Sequence, residues 1–93
     1  MQEFYVELIR TKFNVIQVYV FGSFAKGTNH KDSDIDIAIV VGDVPDIIDA
    51  QFEMMKLRRK VDLRIEPHPF DATDFTNENP VVSEILKYGI IIW

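Results

Sequence analysis

Apolar residues fall in short clusters along the chain, and the spacing inside each cluster predicts an element. Over Glu3 to Lys12, Phe4, Leu8 and Ile9 share one stripe while Glu7, Arg10 and Lys12 lie elsewhere, so a helix is expected, ended by Asn14. Val15 to Phe21 is dense in β-branched and aromatic residues and reads as a strand leaving through Gly22-Ser23. A helical turn from Ser23 to Lys26 stops at Gly27, and Thr28 to Ser33 is a polar loop. Ile35 to Val41 is almost unbroken apolar sequence, the mark of a central strand covered on both faces. After the turn at Gly42 to Pro45, Asp46 to Arg59 fits a helix with Ile48, Phe52, Met55 and Arg59 on one side and Ile47, Met54 and Leu57 nearby. Val61 to Glu66 alternates, with Val61, Leu63 and Ile65 facing one way and Asp62, Arg64 and Glu66 the other, until Pro67-His68-Pro69 breaks the strand. Asp71 to Asn79 reads as loop with room for a helical turn. Pro80 to Tyr88 reads as a last helix with Val81, Val82, Ile85 and Leu86 inward and Gly89 as its stop. Ile90 to Trp93 is a terminal strand or an apolar tail.

This order, strands interleaved with helices, predicts an α/β (α+β) fold: a small mixed β-sheet flanked by helices. Ninety-three residues make one domain, 1–93. No internal repeat or linker interrupts it. A hydrophobic share of 47% suits an ordered core. The net charge of −5 argues against broad binding to extended nucleic acid, which wants a basic patch. No apolar run approaches the roughly 20 residues of a membrane span, and the start carries no leader pattern. The absence of cysteine excludes disulfides and thiolate zinc sites and fits a cytoplasmic protein.

The chemistry gathers around Gly22-Ser23, followed after ten residues by Asp34-Ile35-Asp36. Gly22 lets backbone pass close to a ligand, and Ser23 can open a short helix whose first N–H groups face an anion. Asp34 and Asp36, two apart on a strand, point to one face. Carboxylate oxygens suit Mg²⁺, which is commonly held by one or two carboxylates and substrate phosphates. Phosphate donors beside hard-metal ligands suggest work on a nucleoside triphosphate. Asp62 is the natural third carboxylate if its strand lies beside that of Asp36. Three such acids would repel one another unless a cation sat between them, and Asp62 could also serve as general base. Two ions would then clamp an in-line phosphoryl displacement. Lys26 is either a phosphate partner or an ordinary exposed lysine. Arg58, Arg59 and Lys60 read first as compensation of a helix dipole, second as a docking surface for an acidic partner. Arg64 is expected to pair with a neighbouring acid and to order Asp62. His30 and His68 have no ligand spacing and read as non-ligands. Phe13, Phe21, Phe24, Phe52 and Phe70 read as packing.

Phe21-Gly22-Ser23-Phe24-Ala25-Lys26-Gly27 with Ser33-Asp34-Ile35-Asp36 resembles the signature of the DNA polymerase beta-like nucleotidyltransferase superfamily. Val61-Asp62-Leu63-Arg64 resembles the segment carrying that family's third carboxylate. Asn79-Pro80 through Gly89 resembles the C-terminal pattern of the minimal nucleotidyltransferases (MNT proteins). The resemblance implies the nucleotidyltransferase fold, two Mg²⁺ ions, and transfer of a nucleoside monophosphate, AMP from ATP, to a hydroxyl. It places Gly22 and Ser23 at the triphosphate, Asp34 and Asp36 at both metals, and Asp62 at the catalytic metal and acceptor hydroxyl; Lys26 stands beside them as a candidate nucleotide contact. It implies an antitoxin whose protein acceptor is a helical HEPN ribonuclease toxin. Two alternatives stay open: a non-catalytic antitoxin of the same fold that masks its toxin by contact, and an enzyme acting on a small molecule such as an aminoglycoside, with homo-oligomerisation completing the pocket.

Overall fold

In the computed structural model, residues 2–93 are described. Helix α1 (Glu3–Arg10) leads into strand β1 (Asn14–Phe21), a one-turn helix α2 (Ser23–Lys26), strand β2 (Ile35–Gly42) and helix α3 (Ile47–Leu57). A 3₁₀ turn (Arg58–Lys60) precedes strand β3 (Ile65–Asp71). A second 3₁₀ turn (Ala72–Asp74), helix α4 (Pro80–Tyr88) and the two-residue strand β4 (Ile90–Ile91) follow. The sheet order is β3-β2-β1-β4. β2 runs antiparallel to β1 and parallel to β3, and β4 pairs antiparallel with Tyr19 and Val20 of β1. The mixed sheet with flanking helices is the architecture the sequence predicts.

β2 organises the core. Its odd-numbered residues Ile35, Ile37, Ile39 and Val41 join Tyr5, Val6, Ile9, Met54, Leu57 and Ile65 under α1 and α3. Its even-numbered Ala38 and Val40 face the other way and pack with Tyr19, Phe21 and Ile85. Each such fully buried aliphatic side chain contributes about 1.5–3 kcal/mol of transfer free energy. Asp36 continues the even face past the end of that second cluster, so a strand fixed on both sides delivers a carboxylate to its rim.

Three helix faces differ from the periodic reading. α1 buries Tyr5, Val6 and Ile9 and leaves Phe4 exposed. α3 buries Ala50, Met54 and Leu57, leaving Ile48 and Phe52 in solvent. α4 buries Val82 and Ile85, not Val81 and Leu86. In α1 and α3 two apolar stripes run along one short helix, and periodicity cannot say which meets the sheet. The starts of α3 and α4 are set by side-chain caps: Asp46 accepts from the N–H groups of Ile48 and Asp49, and Asn79 accepts from Val81 with Pro80 in the first turn. Pro45 therefore stands ahead of the cap rather than opening α3.

The largest difference is β3. The alternating stretch Val61 to Glu66 is not the strand. Residues 61–64 form the turn that enters it, and the strand runs through Pro67-His68-Pro69. Ile35 N–H donates to Arg64 O (2.8 Å), which sets the register Ile35↔Ile65, Asp36↔Glu66 and Ala38↔His68. The two-residue period then turns the backbone of Glu66, His68 and Phe70 towards β2. The nitrogens of Pro67 and Pro69 point to the open edge, where no ladder donor is needed. Arg58 closes part of that edge by donating from Nη1 to Ile65 O at 2.9 Å.

Candidate active site

The site forms where β1 ends opposite the start of β2. Phe21 pairs with Asp36 across the antiparallel ladder, so the chain leaves β1 at the level of that carboxylate. Gly22 makes the exit. Its φ of 72° and ψ of −147° lie in a region closed to other residue types. A Cβ built there would come 2.5 Å from Asp36 Oδ2, so backbone passes directly over the carboxylate. α2 begins at Ser23 and presents the N–H groups that a helix start leaves without intrahelical acceptors. Gly27 ends it in a left-handed conformation. Asp34 is exposed immediately before β2, and Asp36 is partly buried within it. The side chains of Ser23 and Asp34 make no hydrogen bond or ion pair among the described residues.

One candidate site residue sits elsewhere than expected. Asp62 lies in the turn ahead of β3, not on its face. Both of its oxygens are engaged by Arg64: Oδ1 accepts from the backbone N–H (2.9 Å) and from Nε (3.2 Å), and Oδ2 accepts from Nη2 (2.9 Å). These hydrogen bonds, the side-chain ones first, hold the Asp62 carboxyl below the usual carboxylate range. Arg64 in turn donates from Nη1 to Lys31 O (3.4 Å) in the loop leading to Asp34. Arg64 thus pairs with Asp62 as expected and braces that loop. Lys26 is ion-paired with Glu84 of α4 and lies 5.2 Å from the Tyr88 ring centroid, which ties α2 to α4. The basic cluster also divides: Arg58 brackets the β3 edge through Ile65 O and Glu66 Oε2 (3.5 Å), while Arg59 and Lys60 are exposed.

His68 is the residue the sequence reading misses. Its Nε2 lies 3.0 Å from Asp36 Oδ1, and its ring packs edge-on against Phe21 with centroids 5.1 Å apart. The signal was present in the two-residue period: carried across Pro67, it puts His68 on the face of Asp36. Reading Pro-His-Pro as a strand breaker hid it. Glu66, the register partner of Asp36, shares that face at its backbone, but its carboxylate turns to Arg58 at the open edge.

Among the described residues no group of three or more histidines, cysteines or acids is arranged to hold a metal ion. Asp34 and Asp36 offer the carboxylate oxygens nearest the Gly22 turn in sequence. With glycine backbone laid over Asp36, such a pair could hold a divalent cation whose remaining ligands came from phosphate oxygens.

The chain matches the family model "Polymerase beta, Nucleotidyltransferase" over residues 5–93. The chain belongs to that nucleotidyltransferase family. It is 32% identical over 91 residues to protein adenylyltransferase MntA of Shewanella oneidensis, an alignment covering 95% of this chain and 61% of that protein. This chain therefore spans about three fifths of the length of that curated relative. Among solved structures it superposes on a toxin–antitoxin crystal structure with AMP-PNP (TM-score 0.71, 26% identity, 100% of this chain and 73% of that one). It also superposes on a mutant of the toxin–antitoxin MntA-HpeT (TM-score 0.73, 25% identity, 100% and 73%). A nucleotidyltransferase from Sulfolobus solfataricus gives a TM-score of 0.66 at 25% identity, over 96% of this chain and 73% of that one.

Proposed function

We propose that this chain moves AMP from ATP to a hydroxyl of a partner protein, as the antitoxin of a HEPN-type ribonuclease toxin. The observation that carries the chemistry is the approach of Gly22 backbone to Asp36 Oδ2, with Asp34 exposed two residues earlier at the entry to β2. That arrangement joins a phosphate turn to a carboxylate pair in a chain of nucleotidyltransferase family. The likeness to a protein adenylyltransferase and to toxin–antitoxin structures supports the nucleotide and the kind of acceptor.

In this reading Gly22 and Ser23 receive the β and γ phosphates through backbone N–H and hydroxyl. Asp34 and Asp36 hold Mg²⁺, which when bound neutralises charge on the triphosphate and favours ionisation of the attacking hydroxyl. That oxygen attacks the α-phosphorus, the bond to the β-phosphate breaks, and pyrophosphate leaves with release of one proton. Lys26 must exchange Glu84 for phosphate to take part. Asp62 contributes through Arg64 and the loop ahead of Asp34, and serves as a metal ligand only if it first gives up that partner. No helix of the described residues is long and apolar enough to cross a membrane.

Intact-mass spectrometry of the candidate toxin, incubated with this chain, Mg²⁺ and each nucleoside triphosphate, tests the proposal. The expected result is a gain of one or more AMP units, lost with Asp34→Asn/Asp36→Asn. An unmodified toxin held in a stable complex, still neutralised by the double variant, would overturn catalysis in favour of masking by contact.

A further inference from the structure

Asp36 has its two oxygens in different surroundings. Oδ2 faces the backbone of Gly22, at the mouth where α2 begins. Oδ1 lies 3.0 Å from His68 Nε2. An ionised carboxylate only accepts, so against such an Asp36 the contact is made by an Nε2 that carries a proton. His68 is itself fixed on two sides. Its backbone stands in register with Ala38, one strand over, and its ring packs edge-on against Phe21, the residue opposite Asp36 on β1. Three adjacent strands thus converge on one carboxylate: β2 carries it, β1 covers it through Phe21 and Gly22, and β3 pins one oxygen.

Resting on the nucleotidyltransferase reading above, we propose that His68 is a positioning residue for the metal-binding carboxylate: by donating to Asp36 Oδ1 it directs Oδ2 towards the phosphate turn. A partly buried carboxylate near a strand end has a broad choice of orientation about its last bond. Holding one oxygen removes that freedom before metal and nucleotide arrive, and outer partners of this kind commonly carry about 10–100-fold in metal affinity. Asp62 cannot do this from the turn ahead of β3, where both of its oxygens serve Arg64. The role needs a donor on the Asp36 face of β3, and among Glu66, His68 and Phe70 only histidine supplies one.

The test is Mn²⁺ binding, as a spectroscopic stand-in for Mg²⁺, to the whole chain with AMP-PNP. Electron paramagnetic resonance reads it without any turnover. His68→Phe keeps an aromatic ring against Phe21 and removes the donor; His68→Gln keeps a donor and removes the ring. Weakening by about tenfold or more in His68→Phe, with most of it restored in His68→Gln, is expected. Equal binding in His68→Phe and the wild type would overturn the proposal while leaving the nucleotide site intact. Equal loss in both variants, with unchanged melting temperatures, would overturn it in favour of the imidazole itself as the binding group. A wild type that takes up no Mn²⁺ beside nucleotide would sink both the positioning role and the site it serves.

Discussion

β2 and β3 lie side by side in one parallel register and obey different constraints. Every residue from Ile37 to Val41 is buried, pressed by α1 and α3 on one face and by Ile85 and its neighbours on the other. Along β3 only Ile65 and Pro67 are buried, and the strand forms one edge of the sheet. The interior strand carries Asp36 at the end of its buried run. The edge strand presents His68 to Asp36 and is itself gripped at Ile65 and Glu66 by Arg58 from the preceding 3₁₀ turn. Rigidity is thereby separated from tuning, and substitutions on the two strands should fail in different ways.

The sharpest contrast is thermodynamic. Ile37→Ala leaves a cavity in the middle of β2, where the side chain is 0% exposed. A loss of about 2–5 kcal/mol is expected, read from urea unfolding with an unchanged m-value. A loss below about 1 kcal/mol would mean that the core beneath β2 closes up easily, and the distinction between the strands would weaken.

Gly22→Ala comes next. The alanine would have to hold a positive φ and seat its methyl against Asp36 Oδ2. Strain of about 1–3 kcal/mol is expected, together with loss of nucleotide binding, because the carboxylate must move. Stability falling while AMP-PNP affinity stays constant would separate the turn from the site.

How legible the molecule is in its sequence follows the same division. β1, α2 and β2, and with them the positions of Asp34 and Asp36 beside the Gly22 exit, are legible because their signals are local: a β-branched run, a glycine exit and an unbroken apolar stretch. β3 is not. Its alternation over 61–66 belongs partly to a turn held by Asp62 and Arg64, and its prolines look like breakers unless one knows that their nitrogens face an open edge. That is a property of the neighbouring strand. The buried faces of α1 and α3 were misread for a related reason, since Phe4, Ile48 and Phe52 extend the apolar pattern without meeting the sheet. His68 was lost with β3, because its meaning comes from Asp36, 32 residues away.

Pro69→Val probes the edge directly. The new N–H points away from β2, and valine suits a strand, so a change within about 1 kcal/mol is expected. His68→Pro, one position earlier, removes an N–H turned towards β2 and should cost markedly more by the same unfolding measurement. Equal costs would mean that the register does not alternate as described.

The smallest effect expected is at Asp62, and it carries a definite sign. Hydrogen bonds from Arg64 lower its folded pKa below the ordinary 3.8. A depressed pKa stabilises the fold above the unfolded value and ceases to do so as pH falls through the folded one. Asp62→Asn should therefore lower the melting temperature slightly at pH 7, by an amount equivalent to about 1 kcal/mol or less for a pair with one half-exposed partner. The gap to the wild type should close below about pH 3.8, as the wild-type carboxyl takes up its proton. A gap that widened in acid would mean that Arg64 does not hold Asp62 as an anion. If the gap closes as expected while transfer activity persists, Asp62 acts as a brace on the loop ahead of Asp34. Complete loss of transfer at unchanged stability would instead return Asp62 to the metal site, released from Arg64 when nucleotide binds.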